Sequence, residues 1–179
     1  MRVPKHTLRS DTTGQSLLSF QVDRLAPHFS QVLLLTGTFE LDEAVRGQRL
    51  ADPPGLVGEG PLAGLLQAMR ASTTPWIALL AIDQPAVPAT HYQRALEAVG
   101  EPTQAIVSTD VEGRIQWLCG MYRTALQGEL ERQTSQGVRA VKHFGNSVNL
   151  KIIPSQDRGV FVNLNTPQDA ADHGWLLPE

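Results

Sequence analysis

Cysteine is almost absent from this sequence, since Cys119 is the only one among 179 residues. A single cysteine excludes a disulfide framework, and no Cys/His cluster has the spacing of zinc ligands. Long apolar runs are absent too: the longest, which ends at Ile82, is far below the roughly 20 residues that span a bilayer. The N-terminus is polar and lacks the apolar core of a signal peptide. We therefore expect a cytoplasmic protein without a membrane partner.

Charged residues are also few. Charged residues make up 18% of the chain, against roughly 25% in an average domain. Fifteen Lys and Arg are scattered among 18 Asp and Glu, so the net charge is -3, which argues against a nucleic-acid partner and favours a small molecule. With 41% hydrophobic residues, the chain can bury a core, so we predict one domain over residues 1–179 and exclude disorder.

Helical spacings alternate with apolar runs along the chain. The helical segments are Leu17–Leu25, Leu62–Met69, Thr90–Val99, Thr124–Gln133, Arg139–Phe144 and Pro167–Ala171. The predicted strands are Val32–Leu35, Trp76–Ile82, Ala105–Thr109, Ile115–Tyr122, Val148–Ile153 and Val160–Leu164. This alternation predicts an α/β fold, a three-layer domain around a mostly parallel sheet.

Asp83 stands directly after the buried strand that ends at Ile82 and before the turn Gln84–Pro88. Ligands of open α/β sheets bind beyond the carboxyl ends of the strands. A carboxylate at that place can hold Mg²⁺, which takes one or two protein carboxylates together with substrate phosphates. It can equally cap the following helix, and the stretch alone leaves both interpretations open.

The loop that enters the second helix carries Gly60 and Gly64. Free N–H groups at a helix N-terminus form an anion-binding site, and glycine allows a ligand to approach the backbone closely. Tight packing against the sheet would require glycines as well, so this signal is weak by itself.

Three further polar residues are candidates. Asn163 and Asn165 follow the last predicted strand two residues apart, which would place both on one strand face, although Asn also bonds within local turns. Lys5 is a cation that could pair with phosphate oxygens, but a lysine in a polar terminus is usually solvated. Cys119, in an apolar run, is expected to be a buried and inert thiol.

Four segments together resemble the molybdenum cofactor guanylyltransferase family and its nucleotidyltransferase relatives. In chain order they are GPLAGLL at 60–66, IDQPAVP at 82–88, LCGMYR at 118–123 and FVNLNTPQD at 161–169. The likeness extends from about Lys5 to the C-terminus. The NLNTP and GPLAG segments are its more specific parts.

The resemblance implies a Rossmann-like fold and an enzyme that transfers GMP from GTP to molybdenum-molybdopterin, releasing pyrophosphate. Mg²⁺ would be the cofactor, with Mn²⁺ as an alternative ion, and Asp83 the metal ligand. Lys5 and Asp83 would be catalytic, Asp52, Gly60 and Gly64 would join them in binding the nucleotide, and Asn163 and Asn165 would lie beside the reacting phosphates. The implied protein partners are molybdoenzyme chaperones or molybdenum insertion proteins.

The sequence departs from this family at its N-terminus. Family members begin with a central strand and a glycine-rich phosphate loop that ends in a lysine, and residues 1–5 resemble only the tail of that motif. Three explanations stay open: the coding sequence starts further upstream, the chain was shortened, or a homologue rebuilt its sheet and lost catalysis. The alternatives to guanylyl transfer are therefore cytidylyl or sugar-nucleotide transfer, and a non-catalytic binding protein.

Overall fold

Six α-helices and eight β-strands alternate in the computed structural model, which describes residues 4–41 and 44–178. The helices are α1 Leu17–Leu25, α2 Pro61–Ala71, α3 Ala89–Glu97, α4 Gln127–Ser135, α5 Val141–Gly145 and α6 Pro167–Asp172. The strands are β1 Arg9–Ser10, β2 Leu33–Leu35, β3 Gln48–Leu50, β4 Trp76–Ala78, β5 Ala105–Thr109, β6 Met121–Arg123, β7 Leu150–Pro154 and β8 Trp175–Leu176. The predicted helices are all present, with shifts of a few residues at their ends.

Two helices begin at a residue whose side chain accepts a hydrogen bond from a free N–H group of the first turn. Ser16 caps α1, since its Oγ accepts a hydrogen bond from the Ser19 N–H at 3.0 Å. Thr166 and Asp169 form a reciprocal capping box at the start of α6. At α2 the cap is Gly60, followed by Pro61 at the first helical position, where proline's missing N–H costs nothing.

The largest apolar cluster lies between α2, α4 and the strands β4 to β6. Its fully buried members include Leu62, Leu65, Leu66, Tyr122, Leu130 and Phe144. The three leucines of α2 share one helical face, so the spacing in the sequence correctly indicated the buried side of that helix.

The strands form three separate sheets rather than one. The largest has the order β4-β6-β5-β7, while β2 pairs with β3 and β1 pairs with β8. Pairing is parallel for β5 with β7 and for β2 with β3, and antiparallel for the other pairs. The fold is therefore mixed α/β, and the expected mostly parallel sheet is not confirmed.

The antiparallel pairing arises because the chain turns back after β5. The Asp110 carboxylate accepts hydrogen bonds from the N–H groups of Glu112 (3.1 Å) and Arg114 (2.9 Å). This tight turn returns the chain alongside β5, where Gln116 N–H donates to the Ser108 carbonyl at 2.8 Å. The regular strand then forms only at Met121–Arg123, so the prediction of a strand over Ile115–Tyr122 was too long.

Other sequence predictions also differ from the structure. β4 ends at Ala78 although the predicted strand extends to Ile82, and the two-residue strands β1 and β8 were not predicted. Val160–Leu164 is not a strand, because this segment runs through a turn and attaches to the rest of the fold by single hydrogen bonds. Gln48–Leu50 is a strand that the sequence did not indicate, since it is short, polar and largely exposed. Among the described residues, no helix is both long and apolar enough to cross a membrane.

Candidate nucleotide and metal site

Asp83 lies where the extended chain beyond β4 ends. The Ala81 N–H still donates to the Leu118 carbonyl (2.9 Å), and the chain then turns. Two bonds fix the turn: Gln21 Nε2 donates to the Ile82 carbonyl at 2.7 Å, and the Leu164 N–H donates to the Asp83 carbonyl at 2.9 Å. The fold thus holds the backbone of Asp83 from both sides and leaves its carboxylate at the end of the strand.

The side chain of Lys5 lies against this carboxylate. Lys5 Nζ is 2.6 Å from Asp83 Oδ2 and 2.7 Å from Asn165 Oδ1. The Lys5 and Asp83 side chains are 25% and 22% exposed, so the pair is partly covered and still reaches solvent. The usual expectation of a solvated terminal lysine is wrong for Lys5, which is bound by residues from two distant segments.

Asn165 is held in place by the cap of α6. Asp169 Oδ2 accepts hydrogen bonds from the N–H groups of Asn165 (3.1 Å) and Thr166 (2.8 Å). These hydrogen bonds lower the pKa of the Asp169 carboxyl, and the bond from the Thr166 N–H has the largest effect. Because the backbone of Asn165 is fixed by this charged cap, its side-chain oxygen is positioned toward Lys5.

Asn163 is placed differently from the prediction. The sequence put Asn163 and Asn165 on one face of a strand, but no strand forms here, since the Leu164 N–H between them bonds to Asp83 instead of to a ladder partner. Asn163 Nδ2 donates to the Phe161 carbonyl at 3.2 Å within its own segment. The structure therefore brings Asn165, but not Asn163, into contact with Lys5.

Asp52 follows β3. Its Oδ2 accepts a hydrogen bond from the Gly58 N–H at 2.9 Å. Gly37 lies close beside it: a Cβ at that position would be 3.3 Å from the same oxygen, and the φ of 58° favours glycine. Asp52 therefore fixes the loop that leads to α2 at its near end.

The two glycines of the loop-helix segment have different surroundings. Gly60 has φ 90°, which lets the chain turn directly into α2 at Pro61. Gly64 lies within α2, where a Cβ would be 3.2 Å from Leu35 Cδ1, so its absence lets the helix pack closely on β2. For Gly64 the packing interpretation that the sequence left open therefore has direct support.

One large cavity connects these groups. It measures about 960 Å³ and is lined by Lys5, Asp52, Gly60 and Gly64 together with apolar residues of β2 and β4. Lys5 is the member of the Lys5–Asp83–Asn165 cluster that lines the cavity. Asp52, Gly60 and Gly64 line the same cavity. A cavity of this size is ample for a nucleotide.

Two supporting residues of α1 escaped the sequence analysis. Gln21 bonds the Ile82 carbonyl, and Arg24 donates to the carbonyls of Pro85 and Val87, both at 2.8 Å. Both side chains therefore hold the turn that carries Asp83. The available signal was their spacing of three residues, which puts both polar groups on one face of the helix.

The oxygens around Lys5 fit a hard divalent cation. The Lys5 ammonium group lies between a carboxylate oxygen of Asp83 and an amide oxygen of Asn165, and Mg²⁺ accepts both kinds of oxygen as ligands. No three His, Cys, Asp or Glu side chains cluster as a metal site within residues 4–41 and 44–178. An ion here would thus need ligands from water or a bound phosphate, as Mg²⁺ commonly does in nucleotide sites.

Cys119 is not part of this site. Its side chain is fully buried, its thiol donates to Gln84 Oε1, and burial raises its pKa to about 12. The prediction of a buried thiol is confirmed, and its inertness stays a prediction.

Comparison with known proteins shows which proteins this chain resembles. A probable molybdenum cofactor guanylyltransferase of Synechococcus elongatus is 32% identical over 127 residues, which cover 68% of this chain and 64% of that protein. The chain thus matches slightly less than two thirds of that relative's length. The molybdenum cofactor guanylyltransferase of Photobacterium profundum is 25% identical over 172 residues, covering 93% and 86% of the two chains.

A solved structure is similar in fold. The molybdopterin-guanine dinucleotide biosynthesis protein A of Archaeoglobus fulgidus superposes with a TM-score of 0.75 at 20% identity, covering 95% of this chain and 88% of that one. In sequence, residues 1–148 match a family model described as the MobA-like NTP transferase domain. The chain belongs to the MobA-like NTP transferase domain family.

Proposed function

We propose that this protein is a molybdenum cofactor guanylyltransferase, which transfers GMP from GTP to molybdenum-molybdopterin and releases pyrophosphate. The observation that carries the proposal is the contact of Lys5 with Asp83 and Asn165 beside a cavity that Asp52 and Gly60 also line. The similarity to proteins of that name supports the choice of substrates. Such an enzyme would act in the cytoplasm, where molybdoenzyme chaperones or molybdenum insertion proteins would receive its product.

The reaction requires one bond to form and one to break. An oxygen of the acceptor phosphate bonds to the α-phosphorus of GTP, while the bond from that phosphorus to the bridging oxygen breaks and the electron pair leaves with pyrophosphate. Such phosphoryl-type transfer depends mainly on positioning and on neutralising charge. The residues of the chain can supply both.

Each residue has a role that follows from its position. Lys5 supplies a positive charge toward the phosphates, and Asn165 orients the Lys5 ammonium through its side-chain oxygen. Asp52 and Gly60 contact the nucleotide across the cavity, with Gly64 keeping α2 close to β2. Asp83 and Asn165 would hold Mg²⁺ or Mn²⁺, which neutralises the negative charge of the triphosphate when bound. Asn163 would approach the reacting phosphates only if its bond to Phe161 opened.

Calorimetry with GTP and Mg²⁺ tests the proposal. The Asp83→Ala variant should lose most Mg²⁺-dependent GTP binding, because the only carboxylate of the cluster is removed. Glu97→Ala, which removes an exposed carboxylate from α3 outside the cluster, should bind as the unchanged chain does. Equal GTP binding by both variants would contradict the metal role of Asp83.

A transfer assay tests the substrates. The unchanged chain, supplied with molybdenum-molybdopterin and Mg²⁺, should convert GTP faster than CTP and release pyrophosphate. Faster conversion of CTP would instead identify a cytidylyltransferase. Nucleotide binding with no transfer to any acceptor would identify a non-catalytic binding protein.

A further inference from the structure

Gln84 follows Asp83 directly in the chain, but its side chain is buried in the protein interior. Gln84 is 3% exposed, whereas the Asp83 side chain is partly exposed and contacts Lys5. The two neighbouring side chains therefore leave the turn on different sides. A buried amide is costly unless it finds hydrogen-bond partners inside the protein, so the partners of Gln84 show what holds the inner side of this turn.

The side-chain amide of Gln84 is bonded at both of its ends. Its Oε1 accepts a hydrogen bond from the Cys119 thiol, and its Nε2 donates to Gln116 Oε1 at 2.9 Å. Gln116 in turn donates from its Nε2 to Asp110 Oδ2 at 3.1 Å. We call Gln84, Gln116 and Asp110 the glutamine chain. It connects the turn that carries Asp83 to the turn that follows β5.

The charge of Asp110 sets the direction of the hydrogen bonds in the glutamine chain. An ionised carboxylate only accepts hydrogen bonds, so Gln116 must turn its amide nitrogen to Asp110 and its oxygen to Gln84. Gln84 must then present its nitrogen to Gln116, which leaves its oxygen for the Cys119 thiol. Turning either amide over would bring two acceptors into contact. The Gln84 side chain is therefore held in one orientation.

Asp110 can anchor the glutamine chain because it is itself held by several bonds. In addition to the N–H groups of Glu112 and Arg114 on its Oδ1, its Oδ2 forms an ion pair with Arg114 Nε at 2.7 Å. The Asp110 N–H also donates to the Arg114 carbonyl at 3.0 Å. Hydrogen bonds to an ionised group are stronger than those between neutral groups. The end of the glutamine chain that lies away from Asp83 is therefore fixed.

The backbone of Gln84 is closed by longer bonds than its side chain. Its N–H donates to the Ala81 carbonyl at 3.2 Å, and its carbonyl accepts from the Val87 N–H at 3.5 Å. The side-chain bond to Gln116 is shorter, at 2.9 Å. Because the inner side chain of the turn is anchored, the turn resists rotation about the chain axis. The neighbouring Asp83 carboxylate is thus kept on the side of Lys5.

We propose that Gln84 is a positioning residue for the metal site, which acts through the glutamine chain to keep the Asp83 carboxylate beside Lys5 and Asn165. This inference rests on the proposed function, in which Asp83 holds Mg²⁺ or Mn²⁺. Residues that hydrogen-bond behind a metal ligand change metal affinity by about 10- to 100-fold without touching the ion. Gln84 acts in the same way, because it fixes the direction of the carboxylate and does not itself contact the cation.

Two measurements on the 179-residue chain test this role. The first needs no metal: it is the hydrogen exchange of the Leu164 amide, whose N–H is bonded to the Asp83 carbonyl. The second is the affinity for Mn²⁺, followed by electron paramagnetic resonance. Gln84→Met keeps a long side chain in the interior but removes the amide. It should speed exchange at Leu164 about 10-fold or more and weaken Mn²⁺ binding about 10-fold or more.

Gln133→Met is the matched control. Gln133 is also a buried glutamine with a bonded side chain, since its Nε2 donates to Glu129 Oε1 and Ser147 Oγ, both at 2.6 Å. It belongs to α4 and lies outside the glutamine chain. Gln133→Met should lower the free energy of unfolding, as Gln84→Met does, but leave Leu164 exchange and Mn²⁺ affinity unchanged. Equal effects of the two variants on both measurements would show a merely structural role and overturn the proposal.

Gln116→Met interrupts the glutamine chain one residue further from Asp83, and it gives the answer if Gln84→Met does not fold. Both measurements should change as in Gln84→Met. The double variant should lose no more Mn²⁺ affinity than either single variant, because residues that act as one unit are not additive. Unchanged Mn²⁺ affinity in the single variants, or fully additive losses in the double variant, would overturn the proposal.

Asp83→Ala separates this inference from the proposed function. If Asp83→Ala abolishes Mn²⁺ binding and Gln84→Met leaves it unchanged, the metal site stands and the role of Gln84 is wrong. If Asp83→Ala leaves Mn²⁺ binding unchanged, the metal site itself is wrong, and the positioning role is overturned with it.

Discussion

Lys5 Nζ lies 2.6 Å from Asp83 Oδ2 although 78 residues separate the two in the chain. The lysine ammonium therefore occupies the position at which a metal ion would contact this carboxylate. A divalent cation bound at Asp83, as proposed, would compete with Lys5 for the same oxygen, and a triphosphate that attracts Lys5 would release Asp83 for the cation.

Lys5→Met should strengthen metal binding and weaken catalysis together. Without the ammonium, no cation competes with Mn²⁺ for the Asp83 carboxylate, so we expect the affinity for Mn²⁺, measured by electron paramagnetic resonance, to rise several-fold. Turnover of GTP should fall at least about 100-fold, because a charge that stabilises the transferring phosphates is lost. Lys142→Met, which removes an exposed lysine elsewhere, serves as the control. Unchanged Mn²⁺ affinity in Lys5→Met would mean that no such competition exists.

Asp52→Asn should reduce affinity for GTP. Asparagine can still accept the hydrogen bond from the Gly58 N–H, so the loop should keep its shape. Under the proposed function Asp52 contacts the nucleotide, so loss of its negative charge should remove a charge-assisted hydrogen bond, worth roughly 1.5–3 kcal/mol, or about 10- to 100-fold in Kd. Calorimetry with GTP and CTP measures the change. If CTP binding falls equally, the role of Asp52 is to support the loop and not to select the base.

Gly120→Ala should destabilise the fold. A Cβ at Gly120 would be 2.8 Å from the Ile106 carbonyl oxygen, and backbone cannot move aside cheaply. We expect a cost of about 1–3 kcal/mol. Gly128→Ala is the matched control, since a Cβ there meets nothing within 4 Å in α4 and alanine favours helix by about 0.5–1 kcal/mol. Urea unfolding of both variants gives the free energies, and equal stabilities would contradict the steric argument.

His91 should make stability depend on mild acid. Burial lowers the pKa of its imidazole, and its Nε2 lies 3.0 Å from the Cys119 carbonyl. Because the unfolded chain takes up the proton first, stability is fully present above about pH 6.5 and is lost as the pH falls toward the lowered pKa. His91→Gln should flatten the stability profile in that window, as followed by urea unfolding from pH 7.5 to 5. A profile with the same slope in the variant would exclude His91 as the source.

Cys119 should report unfolding. Its thiol is fully buried and burial raises its pKa to about 12, so the reactive thiolate is scarce at pH 8. Iodoacetamide should label the native chain at least about 100-fold more slowly than the chain in urea, as measured by mass spectrometry. Rapid labelling under native conditions would indicate an exposed thiol.

The helices could be predicted from the sequence, but the contacts between the site residues could not. Helices such as α2 follow from periodicity, because the spacing of Leu62, Leu65 and Leu66 depends only on local geometry. The position of Asp83 at the end of a buried run was likewise visible in the sequence. The contact of Lys5 with Asn165 was not, because 160 residues separate them and only the complete fold brings them together.

The strand predictions were wrong where one specific hydrogen bond, and not the pattern of apolar residues, decides the backbone conformation. Val160–Leu164 has the composition of a strand, but the Leu164 N–H bonds to the Asp83 carbonyl and no neighbouring strand is available. β3 was missed since Gln48 and Arg49 are exposed at a sheet edge, where no apolar alternation is required. The mixed sheet arises from the turn at Asp110, whose hydrogen bonds depend on geometry that composition does not encode.

The bond from the Leu164 N–H to the Asp83 carbonyl has a consequence for the order in which the protein is made. Lys5 and Asp83 leave the ribosome long before Asn165 is added, and the turn that carries Asp83 is fastened only when Leu164 arrives. The three-residue cluster therefore cannot form before Asn165 has been added. A chain that stops before Leu164 lacks both the hydrogen bond to the Asp83 carbonyl and the amide oxygen that contacts Lys5.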